Sequence, residues 1–340
     1  MKLKQPRKEE GVSHPARRGK YTEAFLIGSS LPHVRYDLLS ELICEIMNLI
    51  RRINTSFHRR LPAEFPIRSM IHAQNLADYS KTKYRIYVIK IVYLDWRNIL
   101  DPSVDFLKNE FLANSISLTD KQASQFKEYY EMLIETNKVM NLTAVTEFED
   151  VVRKHFIDSI MVGRVLDVEK IRSVVDIGTG AGFPGLPLKI VYPQFSLTLV
   201  DSLGKRVRFL QAVVDKLELT DTVAVHSRSE DLARNKKYRE KFDLCTARAV
   251  AAMNVLSEYC LPYVKEGGYF SAYKSGNIAE EIENAGKAIT VLGGKIENAD
   301  IFDFYDMKRS IVLVKKIKKT PAKYPRKAGL PSRNPIGTEN

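Results

Sequence analysis

The segment Asp176-Ile177-Gly178-Thr179-Gly180-Ala181-Gly182-Phe183-Pro184-Gly185 is the part of this sequence best equipped to do chemistry. Glycines at that density let a turn adopt positive φ and let a ligand approach the backbone closely. The segment follows an apolar run and opens a helix, the context such a turn needs to carry meaning. In the dinucleotide fingerprint G-x-G-x-x-G the third glycine comes five positions after the first. Here that position is Phe183, and the third glycine arrives one residue early, at Gly182. The NAD version is therefore not matched. Asp201 stands at the end of the next apolar run, 23 residues after Gly178. A carboxylate there accepts hydrogen bonds from both ribose hydroxyls of a nucleoside, or else caps the helix that starts near Lys205.

The pattern D-x-G-x-G-x-G is the one used for S-adenosylmethionine, which has no pyrophosphate to cradle. Asp176, Gly178, Gly180, Gly182 and Asp201 are its expected contacts. Ser227-Arg228-Ser229-Glu230 follows the third predicted strand, where side chains and amides read an adenine edge; capping of a helix by Ser229 is the alternative. Thr246-Ala247-Arg248-Ala249-Val250 follows in the fourth strand. It lacks the Asp/Asn-Pro-Pro-aromatic sequence that holds an amino group under attack by a methyl donor. Methylation at carbon 5 of a pyrimidine needs a cysteine nucleophile, and neither Cys245, in mid-strand, nor Cys260, in a helix, has a locally activating sequence. A target such as guanine N7, with an in-plane lone pair and no proton to lose, needs neither device. Transfer to it rests on proximity and orientation. The missing motifs narrow the target without fixing it.

Three further groups of residues bear on the target. On a helix, His155, Asp158 and Ser159 fall at i, i+3 and i+4, one face. That face either lines the cofactor mouth or docks the helix through a His–Asp pair. Arg248, His155 and Asp158 are the candidate catalytic residues. Lys205 and Arg206 begin the helix after Asp201 and can meet phosphate or solvent. From Met307 to Thr338 there are ten basic residues and no acidic one. Pro321, Pro325, Pro331 and Pro335 are expected to hold the last part extended. Lys323, Arg326 and Lys327 are its candidates for sequence-independent phosphate contacts. No metal site is expected.

The elements that must carry these residues read as alternating strands and helices. Strands are expected at Ser173–Gly178, Ser196–Ser202, Thr222–Arg228, Phe242–Arg248, Gly268–Lys274, Lys295–Asp303 and Ser310–Lys316. Helices are expected at Gly185–Tyr192, Lys205–Leu219, Met253–Val264 and Ala279–Leu292. The last two strands are joined by a turn around Asp306–Lys308 and form a hairpin, an ending typical of class I methyltransferases rather than dehydrogenases. The expected fold is therefore α/β: a class I S-adenosylmethionine-dependent methyltransferase, Rossmann-like, with a seven-stranded mostly parallel sheet and helices on both faces. Ahead of it, Thr119 and Gln122 make a capping box. The helix they open carries Phe126, Tyr129, Tyr130, Leu133 and Ile134 on one face and ends near Asn141. A second helix is expected at Phe148–Leu166.

The chain has 340 residues, is 44% hydrophobic and 28% charged, and has a formal net charge of +12. That composition suits a soluble globular protein whose partner is a polyanion. Residues 1–100 hold 18 of the 53 Lys and Arg and 9 of the 41 Asp and Glu, so the excess is concentrated there. In that stretch a helix is expected at Tyr36–Ile53 and a strand at Arg85–Leu94, with no motif and no repeat. Residues 1–100 are expected to form a basic, poorly ordered extension, dispensable for catalysis: either an overextended reading frame or a lineage-specific arm. Residues 101–340 form the expected catalytic domain, divided into N-terminal helices (101–168), core (169–317) and tail (318–340). No uninterrupted apolar stretch reaches membrane-span length and no secretory leader is evident. The three cysteines, Cys44, Cys245 and Cys260, lie far apart without metal-ligand spacing, as expected of free thiols in a reducing compartment.

Several blocks together resemble one family. They are Asn141-Leu142-Thr143, Lys154-His155-Phe156-Ile157-Asp158-Ser159, Asp176 to Gly185, Asp201-Ser202-Leu203-Gly204-Lys205-Arg206, Thr246-Ala247-Arg248-Ala249 and Tyr324-Pro325-Arg326-Lys327-Ala328-Gly329. In this order they resemble the small-subunit ribosomal RNA methyltransferase G family (RsmG), also called glucose-inhibited division protein B. The resemblance runs from about Asp101 to Gly337. It implies transfer of a methyl group from S-adenosylmethionine to N7 of a guanosine in the 530 loop of 16S ribosomal RNA, in the bacterial cytoplasm. It implies cofactor contacts at Gly178, Phe183, Ser229, Glu230 and Arg248, with Asp201 beside them. The partner would be 16S ribosomal RNA or the small subunit, and the protein a monomer. The residues alone leave open a class I methyltransferase acting on another RNA, a protein or a small molecule, a dehydrogenase, and a non-catalytic RNA-binding protein.

Overall fold

The computed structural model describes residues 102–276 and 278–338. The expected helix at Tyr36–Ile53, the expected strand at Arg85–Leu94, and Cys44 lie outside the described residues. So does the reading of residues 1–100 as an extension.

Seven strands form one sheet: β1 (Ser173–Ile177), β2 (Ser196–Asp201), β3 (Thr222–His226), β4 (Phe242–Arg248), β5 (Val264–Ser275), β6 (Gly294–Phe304) and β7 (Met307–Lys316). Their order is β3-β2-β1-β4-β5-β7-β6. The first five are parallel, and β7 runs antiparallel to both β5 and β6. This is the expected Rossmann-like class I methyltransferase sheet, closed by the expected hairpin. Order reverses between β1 and β4, so the carboxyl ends of those strands flank the crevice where open α/β sheets bind ligands.

Alternate residues of each strand feed opposite cores, as the two-residue period of a strand requires. Val174, Leu197, Leu199 and Leu244 join one cluster, while Val175, Val200, Cys245 and Phe270 join the other. The first core is covered by α1 (Pro102–Ala113), α2 (Asp120–Met140), a helical run from Phe148 labelled α3, α4 (Gly185–Val191) and α5 (Gly204–Lys216). The second is covered by α6 (Ser229–Leu232), α7 (Met253–Cys260) and α8 (Ala279–Val291). A short α9 (Leu330–Arg333) lies in the tail.

Most elements fall within a residue or two of their expected bounds, and the departures have local causes. The helix expected to reach Val264 stops as α-helix at Cys260 and continues as a 3₁₀ turn, Leu261–Tyr263. Pro262 removes a helix donor there. Strand β5 begins four residues before its expected start. It passes through Gly267 and Gly268 with a register irregularity against β4, the kind of bulge glycine permits. Helix α1 was not expected. Helix α2 starts with the expected capping box: Thr119 Oγ1 accepts from Gln122 N–H at 3.2 Å, and Gln122 Oε1 accepts from Thr119 N–H at 2.9 Å. Gln122 Nε2 also donates to the carbonyls of Ile190 and Val191, tying α2 to the end of α4.

Helix α3 is not the uniform helix expected over Phe148–Leu166. It is α-helical at Phe148–Val151, π-helical at Val152–Ile157, α-helical again at Asp158–Ile160 and 3₁₀ at Met161–Arg164. The amide of Asp158 reaches back to the carbonyl of Arg153. The wider turn changes which side chains share a face, a feature that recurs at functional sites. The aromatic rings of Phe111, Phe126, Phe156 and Tyr129 form a packed ladder with successive centroids 4.8, 4.9 and 5.4 Å apart, and Tyr129 then meets Phe183 at 5.5 Å. Burying each such ring contributes roughly 2–3 kcal/mol. The first core is thereby locked to the glycine-rich turn.

Candidate functional site

The turn after β1 divides its glycines into two kinds. A Cβ on Gly182 would lie 2.4 Å from Leu186 and 2.6 Å from the Tyr129 hydroxyl, and one on Gly185 would lie 2.5 Å from Leu199. Those two positions are glycine because the interior leaves no room. Gly178 and Gly180 have φ of +66° and +63°, and a Cβ on them would meet only the side chain of Val250 and the Gly178 carbonyl, respectively. Both need the positive φ that glycine allows, and Gly178 also lies against Val250, 2.7 Å from where a Cβ would stand; both residues are half-buried at the carboxyl end of β1. Gly182, expected as a cofactor contact, is thus held by packing.

Two carboxylates hold the turn in shape. Asp176 is fully buried. It accepts from Gly185 N–H at 3.0 Å and from the Thr246 hydroxyl at 2.9 Å, joining β1, α4 and β4. Burial pushes its carboxyl up to about 6, opposed by those hydrogen bonds. Its position makes it a brace of the turn. Asp201 lies at the end of β2. It accepts from Gly180 N–H at 3.0 Å and Leu203 N–H at 2.8 Å, with Arg206 at 3.6 Å. A glycine turn beside an acceptor on the next strand fits a nucleoside cofactor. Gly178, Gly180 and Asp201 are the residues that would hold it. The Ser229 hydroxyl donates to the Tyr259 carbonyl at 2.7 Å, and Glu230 Oε1 accepts from Gly329 N–H at 2.9 Å. Both expected adenine-edge residues thus also anchor neighbouring chain.

Arg248, at the end of β4, reaches across to α3. Its Nη1 donates to Asp158 Oδ2 at 2.7 Å and to the Lys154 carbonyl at 3.4 Å. Its guanidinium lies 4.9 Å from the centroid of Phe183. Asp158 also accepts at Oδ1 from Arg309 Nε at 2.7 Å. Asp158 is buried and clamps both arginines. Of the two readings of this face, the His155–Asp158 pair does not form, because the π-turn directs the two side chains to different partners, while both residues line a cavity. His155 Nε2 shares a hydrogen bond with the Thr143 hydroxyl at 2.7 Å, and its Nδ1 lies 3.0 Å from the Lys154 carbonyl. Its ring lies 4.6 Å from that of Phe183. Burial, reinforced by the positive charge of Arg248, pushes the imidazole down to about 4, so His155 is neutral at physiological pH. Ser159 donates to the His155 carbonyl.

Beside this clamp a cavity of about 480 Å³ opens over the ends of β4, β5 and β7; Arg248, which lines it, also packs on Phe183 of the glycine turn. Lys154, Arg248, Lys274 and Arg309 line it with Asp158, Glu281, Tyr273 and Phe302. Arg309, Lys274, Tyr273 and Glu281 were not singled out from the sequence as site residues. Arg309 was legible only as one of ten tail cations, yet the β5–β7 pairing sets it opposite Ser275 at the site. Among the described residues no group of three or more His, Cys, Asp or Glu side chains is placed to hold a metal ion. Cys245 and Cys260 are fully buried, and burial raises the Cys245 thiol well above its ordinary value.

The basic tail departs from its expected extended form. Arg326 makes a fork with Glu258, Nη2 to Oε2 at 2.7 Å and Nε to Oε1 at 3.0 Å, and Glu258 is fully buried. Arg239 donates to the carbonyls of Thr320 and Tyr324, and Arg234 to that of Pro325. Lys316 is buried and donates to the Leu261 and Val264 carbonyls and the Thr320 hydroxyl. Burial lowers its ammonium to about 8. Carbonyls satisfied by these cations fold the tail back onto α7. Arg326 and Lys316 are therefore engaged inside the protein. Lys205, Lys323 and Lys327 are exposed, and Arg206 is half-buried.

A family described as GidB, rRNA small subunit methyltransferase G, matches residues 122–311. The ribosomal RNA small subunit methyltransferase G of Lachnoclostridium phytofermentans is 48% identical over 223 residues, covering 65% of this chain and 92% of its own. That of Lactobacillus acidophilus is 50% identical over 233 residues, covering 67% and 96%. Among solved structures, Aeropyrum pernix fibrillarin with bound S-adenosyl-L-methionine overlays 46% of this chain and 73% of its own at a TM-score of 0.39 and 14% identity. The family match spans the glycine turn, the Asp158 clamp and the hairpin that delivers Arg309, and the relatives align over nearly their whole length: the chain belongs to the rRNA small subunit methyltransferase G (GidB) family.

Proposed function

We propose that this chain transfers a methyl group from S-adenosylmethionine to N7 of a guanosine in the 530 loop of 16S ribosomal RNA, acting as a monomer in the cytoplasm. The observation that carries the reading is that Arg248 borders both halves of the site: it packs on Phe183 beside the glycine turn and lines the adjoining cationic cavity. The family membership supports the reaction, since the relatives are named for methyl transfer to small-subunit ribosomal RNA.

When bound, S-adenosylmethionine supplies a methyl group activated by its sulfonium. Gly178 and Gly180 leave room for the cofactor at the backbone, and Asp201 offers an acceptor to its ribose. The hydrogen-bonding of the site suits N7. Both oxygens of Asp158 are taken by arginines, and His155 is held by Thr143 and the Lys154 carbonyl. Neither is poised to remove a proton, and N7 has none to lose. Arg248 and Arg309 favour electron-rich nucleic acid in the cavity, and the clamp keeps their geometry fixed before substrate arrives. Exposed Lys205, Lys323 and Lys327 are proposed to meet phosphates. Among the described residues no helix is long and apolar enough to cross a membrane.

The test is mass spectrometry of 16S RNA from cells with and without the gene, paired with transfer by the purified protein. Loss of one 7-methylguanosine from the 530 loop, restored by the protein, is the expected result. An unchanged modification there, or a methyl group on another atom, overturns the reading.

A further inference from the structure

The cavity beyond Arg248 has a chemistry of its own. One side is the α3 wall, where Asp158 holds Arg248 and Arg309. The other carries Glu281, at the start of α8, and Lys274, near the end of β5. Glu281 Oε1 accepts from Lys274 Nζ at 2.5 Å and from Met253 N–H at 2.7 Å, yet its side chain remains 32% exposed. Asp158 is saturated by its arginines and 5% exposed. Of the two carboxylates lining the cavity, Glu281 is the one with exposed surface to offer an acceptor.

The occupant must match that pattern. A backbone phosphodiester has acceptors only and offers Glu281 no donor. Adenine carries an amino group at position 6, which faces donors badly. Guanine carries the acceptor O6 between N7 and an N1–H/N2–H₂ donor edge, the polarity this cavity mirrors. Phe302, half-buried, supplies apolar surface for a planar ring. Reading a base on its Watson–Crick edge is how enzymes that modify an extruded nucleotide select it. Donors must also avoid N7 itself, because a hydrogen bond there would occupy the lone pair that reacts.

We propose that this cavity seats the target guanine, with Glu281 accepting from its N1–H and N2 amino edge and Arg309 donating to O6, so that N7 is turned toward the cofactor turn. The assignment rests on the guanine-N7 reading above and names the residues that select the base. Glu281 also braces the loop that links β4 to α7, through Met253 N–H and through Lys274, which donates to the Ala251 carbonyl. A purely bracing role is the rival account.

The experiment compares small-subunit RNA carrying guanosine at the target with the same RNA carrying inosine, which lacks only the N2 amino group. Unmodified protein is expected to lose roughly 10- to 100-fold in kcat/KM on inosine, the range for a charge-assisted hydrogen bond. Glu281→Gln, with folding checked by thermal melting and S-adenosylhomocysteine affinity by calorimetry, is expected to lose activity on guanosine and to discriminate little between the two bases. Glu281→Asp, which keeps the carboxylate, is expected to recover part of the discrimination. If Glu281→Gln is impaired equally on both RNAs and keeps the full discrimination of the unmodified protein, Glu281 is a brace and the assignment is wrong. Failure of the unmodified protein to methylate guanine N7 would instead overturn the reading on which the assignment stands.

Discussion

Arg248, delivered by β4, and Asp158, delivered by α3, are joined 90 residues apart in sequence by a 2.7 Å ion pair, and Arg309 occupies the other oxygen of the same carboxylate. One buried anion thus sets the position of two cations at the site. Removing it leaves two guanidinium groups repelling each other in a partly desolvated space. Asp158→Asn is expected to lower methyl transfer on the order of 10- to 100-fold, the range for lost charge-assisted hydrogen bonds, and to lower thermal stability. Unchanged kcat/KM with an unchanged melting temperature would show that the clamp does not position Arg248.

The fork between Arg326 and Glu258 makes a separate prediction about the tail. Glu258 is fully buried and Arg326 is its cationic partner. Arg326→Ala should leave an unpaired buried carboxylate and destabilise the fold by about 3 kcal/mol. Denaturant unfolding would detect it. A loss confined to RNA binding, with stability intact, would return Arg326 to the role of a phosphate contact.

Exposed Lys205, Lys323 and Lys327 are where phosphate contacts are expected instead. If all three contact phosphates, replacing them with Gln should reduce the slope of log affinity against log salt by about 2 to 3. Cofactor affinity should stay unchanged. A salt slope identical to that of the unmodified protein would place the RNA elsewhere.

His155 provides the pH dependence. Its folded-state value, about 4, lies below the ordinary histidine value because burial and Arg248 disfavour the cation. The unfolded chain therefore binds a proton at higher pH than the folded one. Stability contributed by neutral His155 is full above about pH 6.5 and declines as the pH falls toward about 4, by on the order of 2 kcal/mol. Asp176 acts with opposite sign: its raised value, about 6, means that protonation between about pH 6 and 4 favours the folded state. Urea unfolding from pH 7.5 to 4.5 should show a shallower acid-side decline in His155→Asn than in the unmodified protein. Parallel curves would mean that the ring titrates normally.

Gly178 tests the cofactor turn. With φ at +66° and the Val250 side chain 2.7 Å from the position a Cβ would take, an added side chain is strained and crowds the turn. Gly178→Asp is expected to abolish S-adenosylmethionine binding while leaving most of the fold intact. Calorimetry on the folded variant, giving the affinity of the unmodified protein, would refute this.

The alternating pattern from Ser173 onward, with the glycine turn after its first strand, sufficed for the sheet, its closing hairpin and the cofactor class. Those features are written locally: a two-residue period, a missing N–H at proline, a capping hydroxyl three residues from its amide. The failures were of a different kind. Uniform helical spacing allows a His155–Asp158 pair as one of two readings of that face, and the π-turn that rules the pair out has no reliable sequence signature. The tail looked extended because its prolines and charges are visible, while the groups that fold it back, the carboxylates of Glu258 and Glu230 and the guanidinium groups of Arg234 and Arg239, lie far away in sequence.

Sequence alone determined which strands exist and where the glycine turn stands between them, because both depend on contacts within a few residues. Tertiary structure alone decided which charges work together. Asp158, Arg248 and Arg309 come from three elements, and only the sheet order β4-β5-β7 brings the two arginines to one carboxylate. A buried ion pair depends on desolvation and on angstrom-scale approach, and neither is set until the chain has packed.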